Sequence, residues 1–384
     1  MMRIVCDAAV PYAAEAFGPL GQLTLLPAEE ITPERVREAD LLVTTGMVKV
    51  NARLLEGSPV RFYAAATGET GHLDADYLNV RGITWCAAEG CNAESVADYV
   101  TAALFWLGGR YGFRLAGKRI GVIGAGRVGE RVCRQMRALE LRVSVCDPLR
   151  QRDAADHEAQ GFLPLDRLLR ESDIVTCHLP LIGEGPDATR HLLDAEAFAR
   201  MKPGAILINT SRGGIVDTDA WVDALEKGIV AHAVVDGWEG EPLYRMELMA
   251  RADLATPHIA GLSYESRVAA AATAYRATCA FLGTEPTFPF KLPLPPIPEW
   301  CADAAGLPDE EVLRELVLAV YDIEADSRSL KASQDEDMVT RAQVFSRLRA
   351  RYPIRRQFNA TQVALEHASP ALIAKVEGLG FVCE

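Results

Sequence analysis

The 384-residue sequence contains no apolar run approaching the roughly 18 to 20 residues that a membrane span requires, so no part of it is expected to cross a bilayer. A secretory leader is not expected either, because Met1 to Pro11 carries Arg3 and Asp7 where such a leader would hold an unbroken apolar core. Nine cysteines lie singly between Cys6 and Cys383, odd in number and without a CxxC pair. That pattern excludes a disulfide framework and a zinc site of the usual spacing, and no metal is expected; the thiols read as reduced and mostly buried, in a cytoplasmic protein. Positive charge is in deficit as well. Lys and Arg number 40 against 53 Asp and Glu, a net charge of −13, which argues against a general nucleic-acid or anionic-membrane binder. Neither internal repeats nor low-complexity tracts are present.

What remains suits a soluble protein with a large interior: 49% hydrophobic and 24% charged residues. Single cores stop growing at roughly 250 to 300 residues, so two or three domains are expected. From residue 3 to about 95, short apolar runs (Arg3 to Cys6, Leu41 to Thr45, Arg61 to Ala65, Ile83 to Ala87) alternate with helical stretches, which predicts an α/β unit with a parallel sheet. Val96, Val100, Leu104 and Leu107 predict one long buried helix over Glu94 to Gly108. A second alternation then places strands at Arg119 to Ile123, Arg142 to Cys146, Ile174 to His178, Ala205 to Asn209 and Val230 to Val235, each read as apolar on both faces, like central parallel strands. Six prolines between Glu285 and Pro298 predict an extended linker. Beyond it, residues 309 to 322 and 339 to 351 read as helices and Asp326 to Asp337 as a loop.

The first motif with chemistry in it is Gly121-Val122-Ile123-Gly124-Ala125-Gly126-Arg127-Val128-Gly129, which follows a predicted strand and opens a predicted helix. Gly124 permits the tight turn, Gly126 lets backbone approach a pyrophosphate, and Gly129 permits close helix packing, while the helix start offers unpaired N–H groups to the anion. Asp147 follows at the end of the next strand, about 20 residues on, where a carboxylate accepts from ribose hydroxyls and repels a 2′-phosphate. The expected cofactor is NAD.

A second constellation comes in three pieces: Asn209-Thr210-Ser211-Arg212-Gly213-Gly214, Asp236 through Pro242, and Thr256-Pro257-His258-Ile259-Ala260-Gly261. Each lies at or just past the carboxyl end of a predicted strand, the edge at which open α/β sheets bind ligands. Oxidising a 2-hydroxy acid needs a cation for the carboxylate, a base for the hydroxyl proton and a hydride acceptor. Arg212 suits the first because its planar guanidinium grips a carboxylate through two hydrogen bonds. His258 suits the second because its reference pKa, about 6.5, lies near operating pH. Glu241 would hold the other ring nitrogen, and Asp236 the carboxamide of the nicotinamide ring. A lone loop arginine or Pro-His pair is usually structural; the order of all of them behind a dinucleotide fingerprint is what carries the reading.

In that order and spacing, Arg212, Glu241 and His258 resemble the catalytic triad of the D-2-hydroxyacid dehydrogenase family. The stretches Gly57 through Phe62, Gly90-Cys91-Asn92-Ala93, Asp98-Tyr99-Val100, Asp236 through Pro242, Pro257 through Gly261, Ala319 through Asp322 and Tyr352 through Arg356 extend the resemblance over nearly the whole chain. They match a branch of the family that serves pyridoxine (vitamin B6) biosynthesis and carries an extra C-terminal dimerisation domain. The resemblance implies a Rossmann-type nucleotide domain (96–267), a flavodoxin-like substrate or lid domain (1–95, completed by about 268–287) and a C-terminal α+β dimerisation domain (288–384). It implies a homodimer and a small-molecule 2-hydroxy acid as substrate. Cofactor contacts are implied at Gly124, Gly126, Arg127, Val128, Gly129, Asp147, Pro180, Thr210, Ser211, Asp236 and Gly261, and substrate contacts at Thr45, Thr67, Gly68, Glu69, Arg212 and His258.

The departures from that branch fall on the substrate side. Thr44-Thr45-Gly46 stands where the branch has Arg-Ser, Glu69 where it has glycine, Glu89 where it has proline, and Leu262 where it has a substrate-contacting tyrosine. One cation fewer and one anion more would weaken a phosphate contact, so a sister dehydrogenase with a less anionic 2-hydroxy acid is the alternative reading. Lys49, or Arg355 and Arg356 reaching across a dimer, are candidates to restore the charge. A third reading, from another functional class, is a dinucleotide-sensing interaction protein.

Overall fold

The computed structural model describes residues 1–153, 161–290 and 299–384, so the second half of the proline-rich segment lies outside the described residues. The chain divides into two compact units, Met1–Asn92 with Ser263–Pro295, and Ala93–Leu262 with Pro296–Glu384.

In the first unit, β1 (Arg3–Asp7), β2 (Gln22–Leu26), β3 (Leu41–Thr44), β4 (Phe62–Ala65) and β5 (Thr84–Ala87) form a parallel sheet in the order β2-β1-β3-β4-β5. That is the flavodoxin-like order, and its reversal between β1 and β3 makes the carboxyl ends of those two strands the natural ligand edge. Strands β3 and β4 are buried throughout, as their continuous apolar runs require. Strand β2 was not expected: it is an edge strand whose Gln22 and Thr24 face solvent, so no continuous apolar run marks it. One face is covered by the helix Tyr264–Leu282, which starts in a Ser263/Ser266 capping box and ends on Gly283 in the left-handed region. Its Ala271, Ala274, Tyr275 and Cys279 pack with Ile4, Phe17, Leu41 and Phe62.

In the second unit, β6 (Arg119–Ile123), β7 (Arg142–Cys146), β8 (Ile174–Cys177), β9 (Ala205–Asn209), β10 (Val230–Val235) and β11 (Leu254–Ala255) form a parallel sheet in the order β11-β10-β9-β8-β6-β7. The switch point lies between β6 and β8. Strand β7 is a correction to the expectation of five central strands: it stands at the sheet edge and is only partly buried. The long helix spans Ala93–Tyr111 and is buried on nearly every face, because the helix Arg127–Ala138 packs on one side and the C-terminal segment on another.

That segment adds a three-stranded parallel sheet in the order β12-β13-β14, from β12 (Glu299–Asp303), β13 (Gln362–Glu366) and β14 (Val382–Cys383). Its helices are Asp309–Val320, Ile323–Lys331, Met338–Ala350 and Pro370–Leu379. The helix Ile323–Lys331 corrects the loop expected from Asp326 onward. Asp322 caps it, and its buried stripe is Ile323, Ser327 and Leu330, whose small serine reads as polar in sequence but accepts the backbone N–H of Ala255. Leu313, Leu316, Val317, Tyr321, Phe358 and Leu379 share one core with Val100, Leu104, Val132 and Met136. Each such fully buried side chain stabilises the fold by roughly 1.5–3 kcal/mol relative to exposure, which ties the tail to the six-stranded sheet in one unit.

Candidate active site

The loop after β6 begins with Gly124 at φ 92°, and a Cβ there would stand 2.4 Å from the His178 carbonyl oxygen. A Cβ on Gly129 would stand 1.9 Å from the Gly124 carbonyl oxygen, so only glycine lets the helix Arg127–Ala138 start this close to the strand. Gly126, its N-cap, faces open space with no atom of the described residues within 4 Å of an added Cβ. Asp147, just past β7, accepts from Ala125 N at 2.8 Å and from Arg150 N at 3.0 Å, while the Arg150 guanidinium returns to the Ala125 carbonyl and Glu130. His178, past β8, meets the hydroxyls of Thr176 at 2.9 Å and Thr210 at 3.4 Å; burial lowers its pKa to about 3, so the ring is neutral. Two residues on, the Pro180 carbonyl accepts from Thr189 Oγ1 at 2.6 Å.

The ends of β9, β10 and β11 carry the three other pieces. Asn209, to which the sequence reading gave no role, joins the first to the second: its Oδ1 accepts from Ser211 N and Oγ, and its Nδ2 donates to the carbonyls of Arg212 and Gly237. Gly213 packs so tightly there that a Cβ would lie 1.8 Å from the Trp238 carbonyl carbon. Trp238 N donates to Glu241 Oε2 at 3.2 Å, and His258 Nδ1 donates to Glu241 Oε1 at 2.6 Å. The half-buried Arg212 thus stands on a loop seated against the segment that carries the carboxylate of the His258–Glu241 pair.

His258 is 7% exposed and sits at φ 54°, a left-handed conformation that a non-glycine residue keeps only when its surroundings fix it. Asp236, fully buried at the end of β10, does much of the fixing. Its Oδ1 accepts from Ile259 N at 2.7 Å and Thr256 Oγ1 at 2.6 Å, and its Oδ2 accepts from Ala260 N at 2.9 Å. Burial drives the Asp236 carboxyl above its ordinary range, even against the charge of His258 and these hydrogen bonds. For Glu241 the balance goes the other way. Burial raises it, but the hydrogen bond and charge of His258 and the Trp238 N–H outweigh that and hold it below the usual carboxylate range.

An imidazole held by a carboxylate, an arginine on the adjoining loop and a glycine turn at a topological switch point suit proton and hydride chemistry. Comparison with known proteins settles the family. Residues 94–260 match the model of the D-isomer specific 2-hydroxyacid dehydrogenase NAD-binding domain, and 292–380 match a domain of unknown function. The chain is 41% identical over 382 residues to the erythronate-4-phosphate dehydrogenase of Azotobacter vinelandii, covering 99% of both chains. With the erythronate-4-phosphate dehydrogenase of Salinibacter ruber it shares 40% over 391 residues and 98% of both. The chain belongs to the D-2-hydroxyacid dehydrogenase family. Among solved structures, the NAD+-bound 3-phosphoglycerate dehydrogenase of Entamoeba histolytica has the same fold at TM-score 0.63 and 22% identity, covering 73% of this chain and 95% of that one.

As a member of that family the protein is an NAD-dependent dehydrogenase that oxidises the hydroxyl of a 2-hydroxy acid, which sets aside the interaction-protein reading. The residues present fit the dinucleotide: open backbone at Gly126, the start of a 12-residue helix, and the anchored Asp147 carboxylate, which favours a ribose diol over a 2′-phosphate. Arg127 and Val128 open that helix, Thr210 and Ser211 are buried, and Gly261 directly follows Ala260.

The first unit of the dehydrogenase carries its own cluster of loop residues. Thr45 Oγ1 donates to the buried Asp7 at 2.5 Å, which places it at that sheet's own switch point. Thr67 Oγ1 accepts from Glu69 N at 3.3 Å, and a Cβ on Gly68 would touch Cys91 Sγ at 3.4 Å and Asn92 Oδ1 at 3.6 Å, so these loops lie together. His72, which the sequence reading left without a role, joins Tyr63 Oη at 2.8 Å, and Tyr63 in turn joins Thr44 Oγ1 at 3.0 Å. In the second unit Arg355 and Arg356, expected as charges to be lent across a dimer, are buried within their own chain at 6% and 9% exposure. No metal-ligand cluster is buried among the described residues; Asp303, Glu366 and His367 form an exposed group.

Proposed function

We propose that the chain oxidises erythronate 4-phosphate to its 2-keto acid, the substrate named for relatives about 40% identical along its whole length. The observation that carries the reading is the 2.6 Å hydrogen bond between His258 Nδ1 and Glu241 Oε1, which pairs the imidazole with a carboxylate and fixes its orientation. Arg212 grips the substrate carboxylate through parallel N–H···O bonds and so orients C2. His258 Nε2 takes the hydroxyl proton, Nδ1–H stays on Glu241, and the carboxylate stabilises the imidazolium that results. NAD, when bound, supplies the acceptor for the C2 hydride; Gly124, Gly126, Arg127, Val128, Gly129, Asp147, Pro180, Thr210, Ser211, Asp236 and Gly261 would hold it. In the first unit, Thr45, Thr67, Gly68 and Glu69 are assigned to substrate.

The changed Thr44-Thr45-Gly46 and Glu69 do not favour a different acid strongly enough to outweigh whole-length similarity. Turnover followed by nicotinamide absorbance tests this: erythronate 4-phosphate should react with kcat/KM above about 10⁴ M⁻¹s⁻¹. Turnover of an unphosphorylated hydroxy acid with none of the phosphate ester would reverse the assignment. We further assign the protein to the cytoplasm, where its nine unpaired cysteines stay reduced, and to a homodimer built on residues 299–384, whose Met338, Val339 and Ile354 are solvent-exposed in the single chain. Light scattering on purified protein should give twice the chain mass.

A further inference from the structure

One side chain of the helix-rich tail bonds directly to the loop that carries His258. Arg355, in the segment between the helix Met338–Ala350 and β13, is 6% exposed, and its Nη2 donates to the carbonyl of Ala260 at 2.5 Å and to that of Ser95 at 3.2 Å. Its guanidinium lies over the Tyr321 ring at 4.5 Å. A buried cation needs compensation on every side. Here two carbonyls on Nη2, an aromatic face and the nearby carboxylates of Asp98 and Asp326 supply most of it, while the buried Nη1 has no hydrogen-bond partner among the described residues. The Tyr321 and Tyr352 hydroxyls both donate to Asp326, at 2.9 and 2.6 Å, so the cradle is itself fixed.

The Ala260 peptide is therefore pinned at both ends. Its N–H goes to Asp236 and its carbonyl to Arg355, two residues beyond the left-handed His258. On the same side Tyr99 Oη meets Thr256 Oγ1 at 2.6 Å, and Thr256 Oγ1 also donates to Asp236. Left-handed backbone at a bulky residue is strained and relaxes when its restraints are withdrawn. Displacing a catalytic group by about 1 Å can cost about a hundredfold in rate.

We propose that Arg355 is a positioning residue for His258: the C-terminal segment holds the general base in register through the Ala260 carbonyl, so the tail serves catalysis as well as any assembly. The inference rests on His258 being that base. Lysine at 355 would keep the charge but could not bridge two carbonyls while lying flat on Tyr321.

The test uses full-length Arg355→Lys and Arg355→Ala. It reads kcat, the Kd for NADH, and the downfield proton resonance of the His258 Nδ1–H on Glu241, recorded without substrate. For Arg355→Lys we expect NADH affinity within about twofold of wild type, kcat lowered about tenfold to a hundredfold, and the downfield resonance shifted or broadened. In Arg355→Ala, millimolar guanidinium should restore part of kcat where equal sodium chloride does not. Wild-type kcat and an unchanged resonance in Arg355→Lys would overturn the proposal, as would equal loss of kcat and NADH binding. If Arg355→Ala does not fold, Arg355→Lys decides alone. If wild-type protein oxidises no 2-hydroxy acid, the functional reading fails while the resonance still tests the Arg355 contact.

Discussion

In the proposed mechanism His258, Glu241 and Arg212 divide the work by the kind of charge each can carry. Of the three side-chain types only an imidazole has a reference pKa near neutrality, and Glu241, held below the usual carboxylate range, favours the protonated ring. His258→Ala should lower kcat by about 10² to 10⁴ with NADH binding retained, the usual range for general acid–base work, as steady-state kinetics and cofactor titration will show. Arg212→Lys keeps the charge and loses the fork, so kcat/KM should fall with both parameters affected; a near-normal value would remove Arg212 from the mechanism. Asn209 was invisible in the sequence because its importance is geometric. An asparagine beside Thr-Ser-Arg looks like loop composition, and only the fold shows one side chain tying two loops together.

At the scale of elements, the buried strands were the most legible. Strands β6, β9 and β10 fall on apolar stretches, interrupted in β10 by His232, and the glycine turn falls at the junction of β6 and its helix. Strand β2 alternates, β11 has two residues, and the helix Ile323–Lys331 is mostly polar. None of the three presents a local pattern strong enough to read. The loop after β8 makes a pH prediction. His178 is held neutral with its pKa lowered to about 3, so unfolded chains take up a proton there below about pH 6.5 while folded ones do not, and stability falls as pH drops through that window. Between pH 7 and pH 5 this residue should cost up to about 2 kcal/mol. Urea unfolding of His178→Gln against wild type at both pH values should show a smaller loss in the variant.

For the whole molecule, no helix among the described residues is long and apolar enough to cross a membrane. The tail's integration with the nucleotide-binding sheet was not legible, since periodicity shows which face of a helix is apolar and not which face meets it. Phe358 N donates to Asp98, Gln135 Nε2 donates to the Leu379 carbonyl and Leu115 N donates to Glu310, so polar groups as well as core side chains join the two segments. Deleting residues 299–384 should therefore give a chain that aggregates or unfolds without a sharp transition, as circular dichroism and size-exclusion chromatography will report. A truncated protein that melts cooperatively and binds NADH would refute this.

The long helix Ala93–Tyr111 has a bearing on ancestry. Arg314 lies 3.1 Å from where a Cβ on Gly109 would stand, and Tyr99 faces Tyr321 at 6.2 Å between ring centres, so this helix is tailored to a neighbour some two hundred positions downstream. Such a tail is no detachable cassette: a lineage that shed it would have to rewrite this helix in hydrophilic letters.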